Sequence, residues 1–348
     1  MPDRAPLTFA LALHDAVAPD RTRNACWSPY SVASALGTTA EAARGDTAAE
    51  LVALLGEDNA KLLKATAVGD DAEFAVANTL WASDALPLED GFLADLAGWP
   101  GAGARSAPFA TDPEGARGMI NADVADTTRG LVPELLGRGS ITTDTVATLV
   151  NALYLKCAWN AEFPEHDTAD RPFRGAGDVP TMRREDNARY ARAAGWEAVA
   201  LAANGGVEAV VLLPEDELGP TDGVPEVLDA LDWERVDLYL PKLDIGLNTS
   251  LAPALRQIGV TTLFTREADL SGLSPDPRLY VDDVVHEAVL RVDEQGFEGA
   301  AATAVVMRMT SFIPAEPGRE VRVDRPFLFL VRHAETGVVF FLAQVVEP

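Results

Sequence analysis

The sequence predicts an α+β fold with large mixed sheets, on three observations. The first third of the chain reads mostly helical and the middle is rich in strands. The two kinds of element then intersperse without a βαβ rhythm. Near the end, Glu294–Phe312 (EQGFEGAAATAVVMRMTSF) leaves a strand and runs through Ala300–Ala304, small residues with no large side chain to anchor them. Such a segment can stand outside the fold as a loop, and it can also slide between two strands.

Taken in order, Phe9, Ala12, Leu13 and Ala16 fall on one face of an N-terminal helix. Ser28-Pro29 starts a second helix that continues from Val32 to Ala43, since Ser caps and Pro suits the first turn. Asp46–Leu51 starts a third, Glu73–Leu80 suggests a strand ending at Trp81, and Gly118–Thr128 is helical and ends near Gly130. Thr145–Trp159 is long, β-branched and apolar on both faces, as in the central strand of a covered sheet. Glu197–Leu201 and Glu208–Leu213 flank Asn204-Gly205-Gly206, a hairpin signal. Val236–Leu247 alternates with period two and reads as one strand, and Ser250–Ile258 is a helix closed by Gly259. Strands are expected at Arg278–Val281, Val284–Val292, Val321–Val323, Phe327–Arg332 and Val338–Val346.

Composition excludes several functions. The 348 residues are 48% hydrophobic, enough for a sizeable core, and no linker, internal repeat or apolar run long enough to span a bilayer interrupts them. A formal charge of −26 argues against nucleic acid and anionic membranes, which need clustered Lys and Arg. Cys26 and Cys157 sit in apolar surroundings at no metal-ligand spacing, so two buried free thiols are expected, with neither disulfide nor metal. The start of the chain lacks the pattern of a secretory signal. A cytoplasmic chain is the default expectation, and a secreted chain whose leader has been removed fits equally. No nucleophile elbow, HExxH, P-loop or GxGxxG occurs, so no catalytic residue is assigned and the chain is not expected to be an enzyme. The sequon Asn248-Thr249-Ser250 is read as chance.

A series of motifs then carries a specific resemblance. Asn24-Ala25-Cys26-Trp27-Ser28-Pro29-Tyr30-Ser31, Ala43-Arg44-Gly45-Asp46-Thr47, Ala77-Asn78-x-Leu80-Trp81 and Ile120-Asn121…Thr128-x-Gly130 come first. Leu149-Val150-Asn151-Ala152-x-Tyr154-x-Lys156-x-x-Trp159, Leu240-Pro241-Lys242-Leu243 and Ala268–Leu273 follow. His286-Glu287-Ala288…Val292–Gly296, Asp324–Phe329 and Thr336-Gly337-x-x-x-Phe341-Leu342 close the series. In this order and spacing the chain resembles the serpin family over essentially its whole length.

The resemblance implies a single serpin domain over 1–348, with three β-sheets, about eight or nine helices and an exposed reactive-centre loop at about 294–320. It implies a suicide-substrate inhibitor of serine, or alternatively cysteine, endopeptidases. The loop is bait, and after cleavage the stretch beyond Gly296 enters the large sheet as a new strand, trapping the acyl-enzyme. The alternative is a non-inhibitory member acting as a binding, storage or chaperone-like protein. The hinge comprises Glu294, Gly296, Phe297, Glu298, Gly299, Ala300, Ala301, Ala302 and Thr303. On strand geometry, Phe297, Gly299, Ala301 and Thr303 point inward and Glu298, Ala300, Ala302 and Ala304 outward. Ser28, Ser31, Asn151 and His286 are implied to form a hydrogen-bonded latch beneath the central strands, with Trp159 where insertion begins. The family's spacing from Gly296 puts the reactive bond at Thr310–Ser311, with bonds after Met309, Arg308 or Phe312 left open. Thr310 would suit an elastase- or subtilisin-like protease, Met309 an elastase- or chymotrypsin-like one, and Arg308 a trypsin-like one. A monomer with no cofactor, no metal and no heparin binding is expected.

Five positions depart from the family's pattern. Phe297 replaces a usual Thr or Ser and Gly299 a usual Ala. Asp123 stands where Trp is frequent, and Ala343-Gln344 replaces Gly and a basic residue. The chain is also short between Leu51 and Glu73, so a reduced peripheral helix is expected there.

Overall fold

The computed structural model describes residues 4–276, 279–281, 283–297 and 318–348. Among them are eight α-helices: α1 (Ala5–Val17), α2 (Pro29–Ala42), α3 (Gly45–Leu55), α4 (Glu57–Ala65), α5 (Asp90–Leu96), α6 (Pro113–Thr127), α7 (Val224–Asp229) and α8 (Ala252–Gln257). The strands are β1 (Ala25–Trp27), β2 (Glu73–Ser83), β3 (Ala102–Ala107), β4 (Ala147–Ala158), β5 (Ala169–Phe173), β6 (Gly177–Ala193), β7 (Trp196–Ala202) and β8 (Val207–Pro214). They continue with β9 (Asp232–Pro241), β10 (Leu243–Ser250), β11 (Val285–Val292), β12 (Gly296–Phe297), β13 (Arg319–Arg322), β14 (Phe327–His333) and β15 (Val339–Val345).

These strands form two hydrogen-bonded sheets. One has six strands in the order β10-β11-β12-β4-β2-β3. The other has nine, β1-β15-β14-β8-β7-β6-β9-β13, with β5 beside β6. The long strand β6 serves two parts of the larger sheet. Arg189–Ala193 pair with β7, while Gly177–Thr181 pair with β5. The larger sheet therefore falls into two groups joined through β6, and three sheet-like groups result, as the family resemblance implies.

Local chemistry explains the elements that matter most. Ser28 caps α2 by accepting from the Ser31 N–H at 3.1 Å, and Pro29 follows in the first turn. The β7–β8 hairpin turns at Gly205, whose φ of +68° and whose missing Cβ, 2.7 Å from Val68, both require glycine. Tyr30 of α2, Phe74 of β2 and Phe340 of β15 meet with ring centroids 5.3–5.7 Å apart. This triangle pins α2 between the two sheets. On its other face the six-stranded sheet carries α6, whose Ala116, Ile120 and Val124 join Trp81, Phe109, Val150 and Ala152 in a second core.

Several sequence expectations need correction. The alternating run Val236–Leu247 is two strands, broken at Pro241-Lys242, with β9 in the larger sheet and β10 in the smaller. Only the β10 half alternates buried and exposed residues at its start, while Leu238–Pro241 of β9 are all buried, so the alternating sequence does not mark one strand. Of the strand expected at Arg278–Val281, the described residues 279–281 are irregular, and the buried Leu279 and exposed Tyr280 mimic a strand pattern. Ala12 is exposed, and the buried face of α1 is made by Leu7, Phe9, Ala10, Leu13 and His14. The nine-residue α4 fills the short stretch between Leu51 and Glu73.

Candidate functional site

The N-terminal foot of the loop is built by β11, a tight turn and β12. The Asp293 carboxylate accepts from the Gln295 and Gly296 N–H groups at 2.9 and 3.2 Å, and the Asp293 N–H donates to the Gly296 carbonyl. A Cβ on Gly296 would lie 2.1 Å from the Cys157 carbonyl, so only glycine passes here. Beyond the turn, β12 is antiparallel to both neighbours: Phe297 is level with Val292 of β11 and with Cys157 of β4.

Trp159 organises the turn from above. Its indole N–H donates to the Asp293 carbonyl and its backbone N–H to the Gln295 carbonyl, both at 2.9 Å. Its ring lies 4.6 Å from that of Phe297, which also meets Phe329 at 6.3 Å. Phe297 is 1% exposed. The bulky residue that departs from the family's pattern therefore has an aromatic pocket. Glu294 faces the other way. Burial raises its carboxyl, but the hydrogen bonds from Lys242 (2.7 Å) and Thr168 (2.8 Å) outweigh that, and its pKa lies below the usual value.

Below the Phe297 rung no ladder pairing joins the two walls. Among the described residues, Val285–Arg291 of β11 pair only with β10, and Ala147–Lys156 of β4 pair only with β2. An unpaired seam, the slot, therefore runs down the six-stranded sheet between two parallel strands. Its register is fixed by the rung above: six residues down, Asn151 and His286 stand at the same level.

The polar residues expected to form one latch form two groups. His286 Nε2 accepts the Ser28 N–H at 3.0 Å, joining β11 to the start of α2. The ring is fully buried and burial lowers its pKa to about 4. Ser31 joins this group through its backbone N–H, while its hydroxyl has no partner among the described residues. Asn151 instead donates from Nδ2 to Asn78 Oδ1, and Asn78 donates to the Pro100 carbonyl at 2.9 Å. The Asn151 side-chain oxygen Oδ1 is likewise buried without a partner among the described residues.

The loop's C-terminal foot lies in the other sheet, where β13 runs parallel to β9. Glu298–Thr303, Arg308, Met309, Thr310 and Ser311 fall outside the described residues, so the reactive bond and most of the hinge are not placed. Sequence reasoning assigned no role to Lys242, Thr168, Asp293 or Asn78. Lys242 lay inside a quoted motif, but its partner is 52 positions away and only folding brings them together.

Two further departures are compensated locally. Asp123 pairs with Arg105, whose guanidinium lies over the Trp81 ring and ties α6 to β3. Gln344 is fully buried and donates to the Asp20 and Arg23 carbonyls at 2.9 and 2.7 Å. Both cysteines are free and buried, and burial pushes their thiols up to about 12.

With this geometry in view, the chain belongs to the serpin family. The model for "Serpin (serine protease inhibitor)" matches residues 4–348. The bovine (Bos taurus) leukocyte elastase inhibitor is 31% identical over 92% of each chain. Iripin-3 of Ixodes ricinus is 32% identical, over 92% of this chain and 88% of its own. Uncleaved ovalbumin superposes with a TM-score of 0.84 at 23% identity over 99% of both chains, which shows the fold alone.

Proposed function

We propose that this serpin inhibits serine endopeptidases as a suicide substrate: the cleaved loop enters the slot between β4 and β11 and holds the acyl-enzyme. The observation that carries the reading is β12. The first two residues beyond the turn already occupy the position of an inserted strand, antiparallel to both walls. Cleavage removes the tether to β13, and the strand can continue downward. Each ladder hydrogen bond adds about 0.5–1.5 kcal/mol net, so about a dozen plus apolar burial release on the order of 10 kcal/mol. The intact protein is then a kinetic trap, and its lifetime is set by the barrier to opening the slot.

Phe297 would favour a non-inhibitory member if its ring entered the sheet only after cleavage and slowed insertion. Its burial against Trp159 before any cleavage removes that objection. The target assigned is elastase-like, in keeping with Thr310 or Met309 before the scissile bond and with relatives named leukocyte elastase inhibitor. Subtilisin- and chymotrypsin-like proteases follow. Incubation with elastase, subtilisin, chymotrypsin and trypsin, resolved by denaturing electrophoresis, tests this. A stable complex at near-unit stoichiometry is expected with the first three, and mass spectrometry of the released peptide identifies the bond. Loop cleavage with no complex from any of them would contradict the proposal.

A further inference from the structure

The Trp233 side chain, at the start of β9, is left outside the core. It is 68% exposed, more than any other large apolar side chain among the described residues, whereas the other five tryptophans are at most 4% exposed. The residue level with it on β6, Arg189, is engaged with the buried Glu208. Alternation along β9 puts Trp233 on one face with Arg235, Asp237 and Tyr239, while Val236, Leu238 and Leu240 join the core from the other.

Ion pairs across strands hold that outer face in place. Arg235 Nε donates to Glu185 of β6 at 2.9 Å, and Arg183 donates to both Asp237 oxygens at 2.8 and 3.0 Å. The guanidiniums of Arg183 and Arg322 lie 5.4 and 4.5 Å from the centre of the Tyr239 ring. Trp, Tyr and Arg are the side chains that dominate binding hot spots, and groups already held in place lose little freedom when a partner covers them. The Arg235 side chain is 46% exposed, so its guanidinium can take a second carboxylate.

The face adjoins the C-terminal foot of the loop. The Glu185 oxygen that holds Arg235 also accepts the Gly318 N–H at 3.1 Å. Because β13 runs parallel to β9 with Arg319 level with Val236, the chain reaches β13 from the end of β9 that carries Trp233. Seven residues lead from Ser311 to Gly318, a reach of at most about 25 Å. A globular endopeptidase of about 230 residues is about 45 Å across. One seated on the Thr310–Ser311 bond therefore reaches this face.

We propose that the outer face of β9, with Trp233 and Arg235 at its centre, is a second docking surface for the protease that takes the loop. It fits a protease that presents an apolar patch edged by a carboxylate, beside the subsites for the residues after the cut bond. The inference rests on the inhibition reading above and adds that the target is selected on this sheet as well as on the loop.

The test uses the fastest-reacting of elastase, subtilisin and chymotrypsin. The rate constant of inhibition is measured in excess inhibitor. Affinity is measured separately with the same protease carrying alanine at its catalytic serine, which docks without cutting. Trp233→Ala and Arg235→Ala should each lower rate and affinity about tenfold, the effect of a moderate hot-spot residue, with stoichiometry and melting temperature nearly unchanged. Trp233→Phe should keep most of the rate, and Arg235→Ala should weaken its salt dependence. Val52→Ala, which removes an exposed apolar side chain of α3, should match wild type. If wild type forms the stable complex and both alanine variants stay within twofold of it in rate and affinity, the docking surface is overturned and the inhibition reading stands. If wild type forms no complex with any of the three, the inhibition reading falls and the docking surface with it.

Discussion

Asn151 and His286 stand at one level on opposite walls of the slot, each six residues below the rung where Phe297 meets Cys157 and Val292. Neither touches the other's group: His286 is tied to Ser28 and Asn151 to Asn78. Each wall is thus anchored separately at mid-height, β11 to α2 and β4 to β2. Among the described residues the buried Asn151 Oδ1 and Ser31 hydroxyl have no partner, which leaves polar demand that an incoming strand can meet. The residue that reaches this level in the proposed inserted state is Thr303, inward-facing and hydroxylated. Thr303→Val should therefore leave cleavage intact and raise the number of inhibitor molecules consumed per protease, read by titration of residual protease activity.

Acid should loosen the slot through His286. Its acceptor nitrogen must be unprotonated to hold the Ser28 N–H, and burial lowers its pKa from 6.5 to about 4. A lowered histidine contributes stability that is full above the unfolded value and lost as pH falls from 6.5 through 4. The contribution is on the order of 3 kcal/mol at neutral pH. His14, also fully buried and lowered to about 3, loses stability over the same range and on to pH 3. Denaturant melts of the intact protein between pH 7 and 4 should show the combined slope, and His286→Gln should reduce it without abolishing it.

In the proposed inserted state, continuing the register of the Phe297 rung would bring Ala301 opposite Leu153 and Ala288. Ala301→Asp places a carboxylate against apolar walls, where an unpaired polar group costs several kcal/mol. Complex formation should be abolished with loop cleavage unchanged. Ala302→Asp, facing outward, should retain most inhibition. Equal effects of the two on the yield of stable complex would mean that the inward register is wrong.

Glu294 fastens the turn by accepting from Lys242 and Thr168. Glu294→Lys replaces this with like charges and should speed opening of the top of the slot, measured as faster amide hydrogen exchange in β11 and β4. The Lys242 side chain is 40% exposed, so the equilibrium cost is modest, about 1 kcal/mol, and shrinks with salt.

Phe297→Ala removes a ring buried against Trp159 and Phe329. Core Phe→Ala changes cost about 3–5 kcal/mol, and part of this is relieved here because the short β12 can detach. A lower melting temperature of the intact protein is expected, with a smaller effect on the nicked one, whose whole strand holds residue 297 in place.

Much of this fold was legible in the sequence. The β7–β8 hairpin was marked by Asn204-Gly205-Gly206, the capped start of α2 by Ser28-Pro29, and β4 by fifteen largely β-branched and apolar residues. The break at Pro241-Lys242 was not, because alternation is a local signal and cannot say which sheet a strand joins. The same limit hid the site's partners. His286 and Ser28 were singled out, but the pairs Asn151–Asn78 and Glu294–Lys242 depend on contacts between distant segments. Phe297 looked like a defect in the loop because its pocket is assembled from β4, β14 and the residue after β4, none of which is adjacent to it in sequence.

The most direct test of the account is the structure of the protein nicked in its loop. The account expects a full strand in the slot of the six-stranded sheet, hydrogen-bonded to both β4 and β11, with Thr303 level with Asn151 and His286. A nicked protein whose β4 and β11 walls remain unpaired below the Phe297 rung would contradict it.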